Sequence, residues 1–447
     1  MNDDDARSLL DDLILKAKKR GANAADALVV NSTAISHAER LGQTERLERS
    51  EARDLGLRVF FGKQQAMVSS NDWEAETLDD LVDRAVAMAK AVPEDPYCGL
   101  ASADQLFTGN MPELDIFDNT EPVPEALIER AKASEEAARS VDGVTNSEGA
   151  EASWSLNYVT LAASNGFFGS YEISRHGVGV SVIAGEGTAM ERDYEFSSTV
   201  HESDLDDPVA VGKAAGARAV KRLNPRKVAT AKVPVVYDPR VSHGLTGHLA
   251  SAINGSSIAR GTSFLKNCMD TKVFADGITI TDDPHRNRGL RSKPFDAEGL
   301  ANQSINLIEN GVLTSWVLDL RSARQLSLTS TARASRGVSG PPSPSVTNLY
   351  LAAGTETPEA LMADIDSGFY VTELMGFGID MLTGDYSRGA AGYWIEKGEI
   401  AYPVSEMTVA GNLKDMFLNL TPANDLTFRY GTNAPTVRVD GMTVAGE

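Results

Sequence analysis

The stretch Val233-Pro234-Val235-Val236-Tyr237-Asp238-Pro239-Arg240-Val241-Ser242-His243-Gly244-Leu245-Thr246-Gly247-His248 decides how this chain is read. Residues 233–237 form a short apolar run, as in a buried strand. Asp238 is suited to cap a helix, and Pro239 to its first position, where no backbone N–H is required. A helix over 239–252 is therefore expected, packed on a sheet. It carries two of the chain's six histidines. In a metal-peptidase helix, two histidines hold zinc and a glutamate beside the first activates the metal-bound water. Here Gly244 follows His243, and it has no side chain to accept a proton. At about 100° per residue, the five-residue spacing sets His243 and His248 roughly 140° apart around the helix. One metal joins them only if the helix bends, which Gly244 and Gly247 would permit. The alternative is that the glycines let the helix pack closely on the sheet, with the histidines hydrogen-bonded or solvated.

Outward from this helix, composition sets bounds. At 447 residues, two domains are the natural expectation. Lys and Arg number 42 against 63 Asp and Glu, a net charge of −21. Such a surface repels phosphate backbones, so no direct nucleic-acid binding is expected. Cys98 and Cys268 lie far apart and give neither a disulfide framework nor a CxxC clip, which suits a reducing cytosol. The acidic start, Met1 to Asp5, lacks the basic and apolar regions of a secretion signal. No apolar run approaches the roughly 20 residues of a membrane span. A cytoplasmic location follows as an expectation.

The first half, 1–225, reads as a mixed α/β domain. Leu9, Leu10, Leu13 and Ile14 mark a helix over 4–20. Strands are expected at 27–31, 55–61 and 65–69, and helices at 77–92, capped by Thr77, and at 124–141. From Val144 to Ala184 the pattern alternates with period two, broken by an Asn165-Gly166 hairpin turn. Asp207-Pro208 starts another helix, and Asn224-Pro225-Arg226 offers a boundary. The second half, 226–447, reads as mainly antiparallel β with the 239–252 helix packed on it. Four X-Gly pairs, at 276–277, 310–311, 397–398 and 440–441, share a hairpin-turn template. Short helices are expected at 357–365 and 412–418, and Gly337 to Thr347 reads as a mobile loop. The whole is an α+β, two-domain chain.

Other chemistry is sparse. Asp282-Asp283-Pro284-His285 and Phe295-Asp296-Ala297-Glu298-Gly299 gather acids that could hold a cation or form turns and solvated surface. Tyr386 to Trp394, with Arg388, Tyr393 and Trp394, suits a peptide or subunit contact, or a loop entering a core strand. There is no P-loop, dinucleotide fingerprint or GxSxG.

The ordered set DPR-x6-GH, Ser263-Phe264-Leu265, DDP, FDAEG, IENG, GDYSRGAAGYWIE, AGNL and NDLTFRYGTNAPT resembles the PmbA/TldE branch of the TldD/PmbA family, known as modulators of DNA gyrase. Gly56 to Val59, Ser164 to Phe167 and Leu223 to Arg226 extend the resemblance through the first half. It implies a subunit of a cytoplasmic metalloprotease complex acting on unfolded peptides, in peptide maturation and antitoxin turnover. In that family a TldD-type subunit carries an HExxxH helix and a late cysteine as third zinc ligand, while the TldE-type partner lacks the site. His243 and His248 fall at the positions of the two zinc histidines. Gly244 stands at the glutamate position, and Arg429-Tyr430-Gly431-Thr432, at the third-ligand position, has no cysteine. The resemblance thus implies a non-catalytic chain that needs no zinc of its own, partnered by a TldD-type metallopeptidase. Two rivals stand beside it: a self-sufficient metallopeptidase using His243, His248 and a carboxylate such as Glu298, and a regulatory homodimer without enzymatic activity.

Overall fold

The computed structural model of the chain describes residues 3–446. Met1 and Asn2 of the acidic start, and Glu447, lie outside the described residues. The first half is built on one six-stranded sheet of order β3-β2-β1-β4-β5-β6. Its strands are β1 (Ala24–Arg40), β2 (Gln43–Phe61), β3 (Gln64–Ser70), β4 (Val144–Ala163), β5 (Phe168–Ala184) and β6 (Glu191–Thr199). Every pairing in it is antiparallel.

Because side chains alternate across a strand, one face of β1 presents Ala25, Ala27, Val29 and Ile35. Helices α1 (Asp3–Lys19) and α2 (Ala75–Ala91) bury Leu10, Leu13, Leu81 and Ala85 over one end of that face. Helices α3 (Pro124–Arg139) and α4 (Pro208–Lys221) cover the other end through Leu127, Ala131, Val211 and Ala215. Each fully buried leucine contributes roughly 1.5–3 kcal/mol. Close approach of α3 and α4 depends on Gly212, where a Cβ would lie 2.1 Å from the Ser134 carbonyl oxygen.

In the second half, β7 (Ala231–Tyr237) lies inside a sheet that closes on itself. The circuit runs from strand Glu399–Asn412 through Asp385–Glu396, Ser367–Met375, β7 and Val437–Ala445, which pairs back with Glu399–Asn412. A smaller five-stranded sheet stands beside this barrel. Helix α5 (Pro239–Ala252) packs on both. The half is mostly antiparallel, yet β7 runs parallel to Ser367–Met375, and Asn348–Leu351 runs parallel to Thr432–Asn433. Parallel neighbours need a long connection, and the chain between Tyr237 and Ser367, beginning with α5, supplies it.

Several local expectations are corrected. α2 starts at Ala75 with Glu74 before it, so Thr77 is not its cap; the Thr77 hydroxyl instead donates to Asp72 at 2.9 Å. β1 and β2 run far beyond 27–31 and 55–61 as a long hairpin. Of the four X-Gly pairs, Asn310-Gly311 and Lys397-Gly398 do turn hairpins, both residues of each having positive φ. Asp440-Gly441 instead sits in a bulge within strand Val437–Ala445, and Asp276-Gly277 turns in the loop before strand Ile280–Asp283. The segment from Gly337 to Thr347, expected as a mobile loop, is tied down: Ser343–Pro344 pairs with Ala334–Ser335, and the Thr347 N–H donates to Asp282 at 2.6 Å. The acids of 282–298 are not solvated surface. Asp282 is fully buried against Arg333, and Asp296 accepts N–H groups from Glu298, Leu300 and Ala334.

The two halves are locked together. Phe295 inserts among Leu28, Leu161, Phe167 and Tyr171 on the face of the first sheet opposite α1–α4. Asp26 on β1 is held by Arg58 from β2 and by Arg336 from the second half, all with buried side chains. Further along the same face, Ser32, Ala34, Ser36 and Ala38 stay half-buried.

Candidate functional site

Asp238 begins α5 as the cap signal requires, accepting the Arg240 N–H at 2.9 Å, and the Tyr370 hydroxyl donates to its other oxygen at 2.8 Å. Ser242, Leu245, Thr246, Leu249 and Ala252 form the buried face of α5. Going round the other side at 100° per residue, the order is His243, Gly247, Gly244, His248. The glycines therefore lie between the histidines. A Cβ on either Gly244 or Gly247 would meet nothing within 4 Å. The reading in which these glycines allow close packing is corrected: they leave a notch of open space on the helix between two imidazoles set about 7.5 Å apart along its axis, five residues of 1.5 Å rise.

His243 donates from Nδ1 to the Pro239 carbonyl at 3.3 Å, which leaves the lone pair on Nε2. Its ring lies 5.0 Å from that of Tyr430, which in turn lies 5.6 Å from Phe196 on β6. Tyr194 stacks beside Phe196, and the Arg240 guanidinium sits 4.3 Å over the Tyr194 ring. An aromatic line thus runs from the first sheet to α5. Tyr194 and Phe196 also wall a groove of about 640 Å³ floored by Ala38, Gly179 and Glu151. A second cavity, of about 450 Å³, opens at the N-terminus of α5 between Arg240, Tyr370 and Tyr430.

At the far side, the His248 ring packs edge-on to Tyr386 at 6.0 Å. Burial, then the Arg388 guanidinium and His243, push the His248 imidazole down to about 4. Burial and the Arg291 guanidinium also lower His243, against the opposing pull of the Pro239 carbonyl. Both rings are neutral at physiological pH. The guanidinium groups are the site's positive charges. The Arg291 stem lies over Gly431, where a Cβ would come within 2.1 Å of Nε, and Nη1 reaches the Thr432 hydroxyl at 3.5 Å. Arg388 donates from Nε to the Met375 carbonyl at 3.3 Å. Neither arginine pairs with a carboxylate among the described residues.

This donor set does not fit zinc. A catalytic zinc takes three protein ligands and an open position, and among the described residues no three His, Cys, Asp or Glu side chains are grouped to hold a metal. A side chain at Gly431 would have to push Arg291 aside. Glu298, the carboxylate considered as a third ligand, lies elsewhere: it accepts the Leu320 N–H at 2.8 Å, and burial with Asp296 alongside pushes it up to about 8. Cys98 is buried in the first half, and Cys268 packs against the second-half core. Of the contact residues expected in 386–394, Arg388 lies near enough to His248 for its charge to lower that imidazole. Tyr393 is buried beneath Lys221, whose ammonium lies 4.7 Å over its ring, and Trp394 belongs to the core. Sequence reasoning missed Arg291, Tyr194, Phe196 and Arg240. The 429–432 segment, marked as the third-ligand position, was the available pointer.

Family models for the PmbA/TldA metallopeptidase match along the chain: domain 1 at residues 25–89, the central domain at 117–223 and the C-terminal domain at 230–446. The chain is 37% identical over 428 residues to the metalloprotease PmbA of Escherichia coli, covering 95% of this chain and 93% of that one. A crystal structure of a Bacteroides thetaiotaomicron protein, assigned as a candidate modulator of DNA gyrase, superposes with a TM-score of 0.92 at 27% identity over 100% of both chains. TldE of Thermococcus kodakarensis shares the fold, with a TM-score of 0.87 at 21% identity over 98% of this chain and 99% of that one.

Proposed function

The chain belongs to the PmbA/TldD metallopeptidase family, and we propose that within it this chain is the non-catalytic, peptide-receiving subunit of a TldD/TldE-type complex. The observation that carries the proposal is Gly244. Open space replaces the proton-accepting carboxylate beside His243, and the Arg291 side chain lies over Gly431, in the segment where the family's third ligand would come. Two neutral histidines without a base neither hold zinc firmly nor turn its water into a directed nucleophile. The zinc and the general base then come from a TldD-type partner.

What this chain offers is a surface for extended peptides. Half-buried small residues on the face of the first sheet, the groove beside Tyr194 and Phe196, and the α5 notch form a path of sheet surface and aromatic faces suited to an unfolded segment. The net charge of −21 supports a peptide rather than a nucleic acid as occupant. Among the described residues no helix is long and apolar enough to cross a membrane. Two free cysteines suit the reducing cytoplasm proposed as its location.

The test is reconstitution. The full-length chain, a TldD-type chain and their mixture are assayed on an unfolded peptide. The mixture is expected to cleave in a chelator-sensitive manner and this chain alone to be inactive. Chelator-sensitive cleavage by this chain alone would overturn the proposal, as would failure of the two chains to co-purify.

A further inference from the structure

We infer that the α5 notch is a receptor for the free C-terminal carboxylate of a peptide, with Arg388 and Arg291 as its cationic jaws and Gly244 and Gly247 as its floor. The inference deepens the peptide-receiving role proposed above and rests on it.

Three observations converge here. The first is shape. Added Cβ atoms at Gly244 and Gly247 meet open space, so a peptide main chain can approach the helix backbone without side chains in the way. The two imidazoles that bound the notch are about 7.5 Å apart along the helix axis, room for two residues of extended chain at about 3.3 Å each. The second is charge. In a chain of net charge −21, Arg291 is exposed and Arg388 half-buried, yet neither has a carboxylate partner among the described residues. Arg291 makes side-chain contact with Thr432, and Arg388 with the Met375 carbonyl, so both keep guanidinium N–H groups for a ligand. A guanidinium fork matches a carboxylate in a bidentate pair. The third is approach. The Tyr194–Phe196–Tyr430 line leads from the 640 Å³ groove to His243, so an extended chain lying along it delivers its end to the notch. Five glutamates, Glu39, Glu45, Glu148, Glu151 and Glu195, line the groove with Arg46, which pairs with Glu151 at 3.3 Å, so the lining is net acidic and disfavours an acidic stretch there. That leaves the terminal carboxylate as the acidic group brought to the arginines.

The test uses the full-length chain and a fluorescently labelled, unstructured hexapeptide free of Asp and Glu, as its C-terminal acid and its C-terminal amide. Fluorescence anisotropy is expected to show the acid binding tenfold or more tightly than the amide, with the difference shrinking as salt rises. Arg388→Met and Arg291→Met should each reduce the preference, and the double variant should abolish it. Arg388→Lys, which keeps the charge but loses the fork, should retain part of it. Unchanged circular dichroism would show that the variants fold. Equal binding of acid and amide by the parent chain, or binding of neither, would overturn the inference. So would a preference that survives the double variant, equally tight binding of an amidated peptide carrying an internal Asp, or stoichiometric binding of zinc ion alone that is lost in His248→Ala. Because these are binding measurements, they can fail while the reconstituted complex still cleaves, which separates this inference from the proposed function.

Discussion

Two of the arginine clusters in this acidic chain differ in what answers each guanidinium. At the junction between the halves, Arg58 and Arg336 share Asp26, and nearby Arg333 is fully buried against Asp282. Arg333 also donates to the carbonyls of Gln303 at 2.6 Å and Thr331 at 3.0 Å. At the α5 notch, Arg291 and Arg388 meet a hydroxyl and a carbonyl and no carboxylate among the described residues. A buried guanidinium without a counter-charge would be too costly to keep, so both junction arginines carry a carboxylate partner in Asp26, while Nε and Nη2 of Arg336 have no hydrogen-bond partner among the described residues. A guanidinium reached by water carries no such requirement. It can remain open to a ligand that arrives with the charge. The residue type is the same, while burial and pairing separate an element that joins the halves from one that receives.

The largest effect that bears on this contrast is expected at the Arg333–Asp282 pair, buried within the second half. Asp282→Ala strands Arg333 and removes the acceptor of the Thr347 N–H, and should cost about 3–5 kcal/mol in urea unfolding. Arg388→Met at the notch should change stability by less than about 0.5 kcal/mol. Comparable losses in the two variants would break the distinction.

Next in size is the pH response of His248. Its folded value of about 4 lies below the ordinary 6.5. Between those values the unfolded chain takes up a proton that the folded chain refuses, so stability present above pH 6.5 is lost as pH falls toward 4. Many carboxylates titrate in the same window, so the informative quantity is the difference from His248→Gln. The parent should lose up to about 3 kcal/mol more than the variant between pH 7 and 4. Parallel curves would show that the imidazole is not held neutral by its surroundings.

Smaller effects come from the glycines. Gly212→Ala in α4 drives a methyl toward the Ser134 carbonyl and should cost about 1–3 kcal/mol. Gly244→Ala and Gly247→Ala place a methyl in open space on a helix and should each stabilise by about 1 kcal/mol, read as a rise in Tm. Destabilisation by the notch variants would mean that the notch is packed rather than open.

These glycines also show where sequence reading runs out. The limits of α5 follow from the sequence because Asp238-Pro239 is a local capping signal, and the helix spans Pro239–Ala252 as expected. His243 and His248 lie on that helix as the motif reading had them, and Arg388, named from the sequence, lies near enough to His248 to lower its imidazole. Glycine spacing on a helix, however, looks the same whether the helix is packed or open, because that depends on what lies opposite. Tyr430 packs on His243 from 187 residues along the chain, and Arg291 lies beside Gly431 from 140 residues before it, through a sheet and loop arrangement that no local pattern encodes. The extension of β2 over 43–54 was missed for a different reason. Its exposed, charged residues lack the apolar alternation by which a half-buried strand is read.

The central claim is that α5 keeps two histidines of a metallopeptidase helix without the chemistry. It is tested most directly by the metal content and activity of the full-length chain, prepared without chelators and supplied with zinc ion and an unfolded peptide. The account predicts zinc well below one per chain and no cleavage. About one zinc per chain, lost together with chelator-sensitive cleavage in His248→Ala, would contradict it.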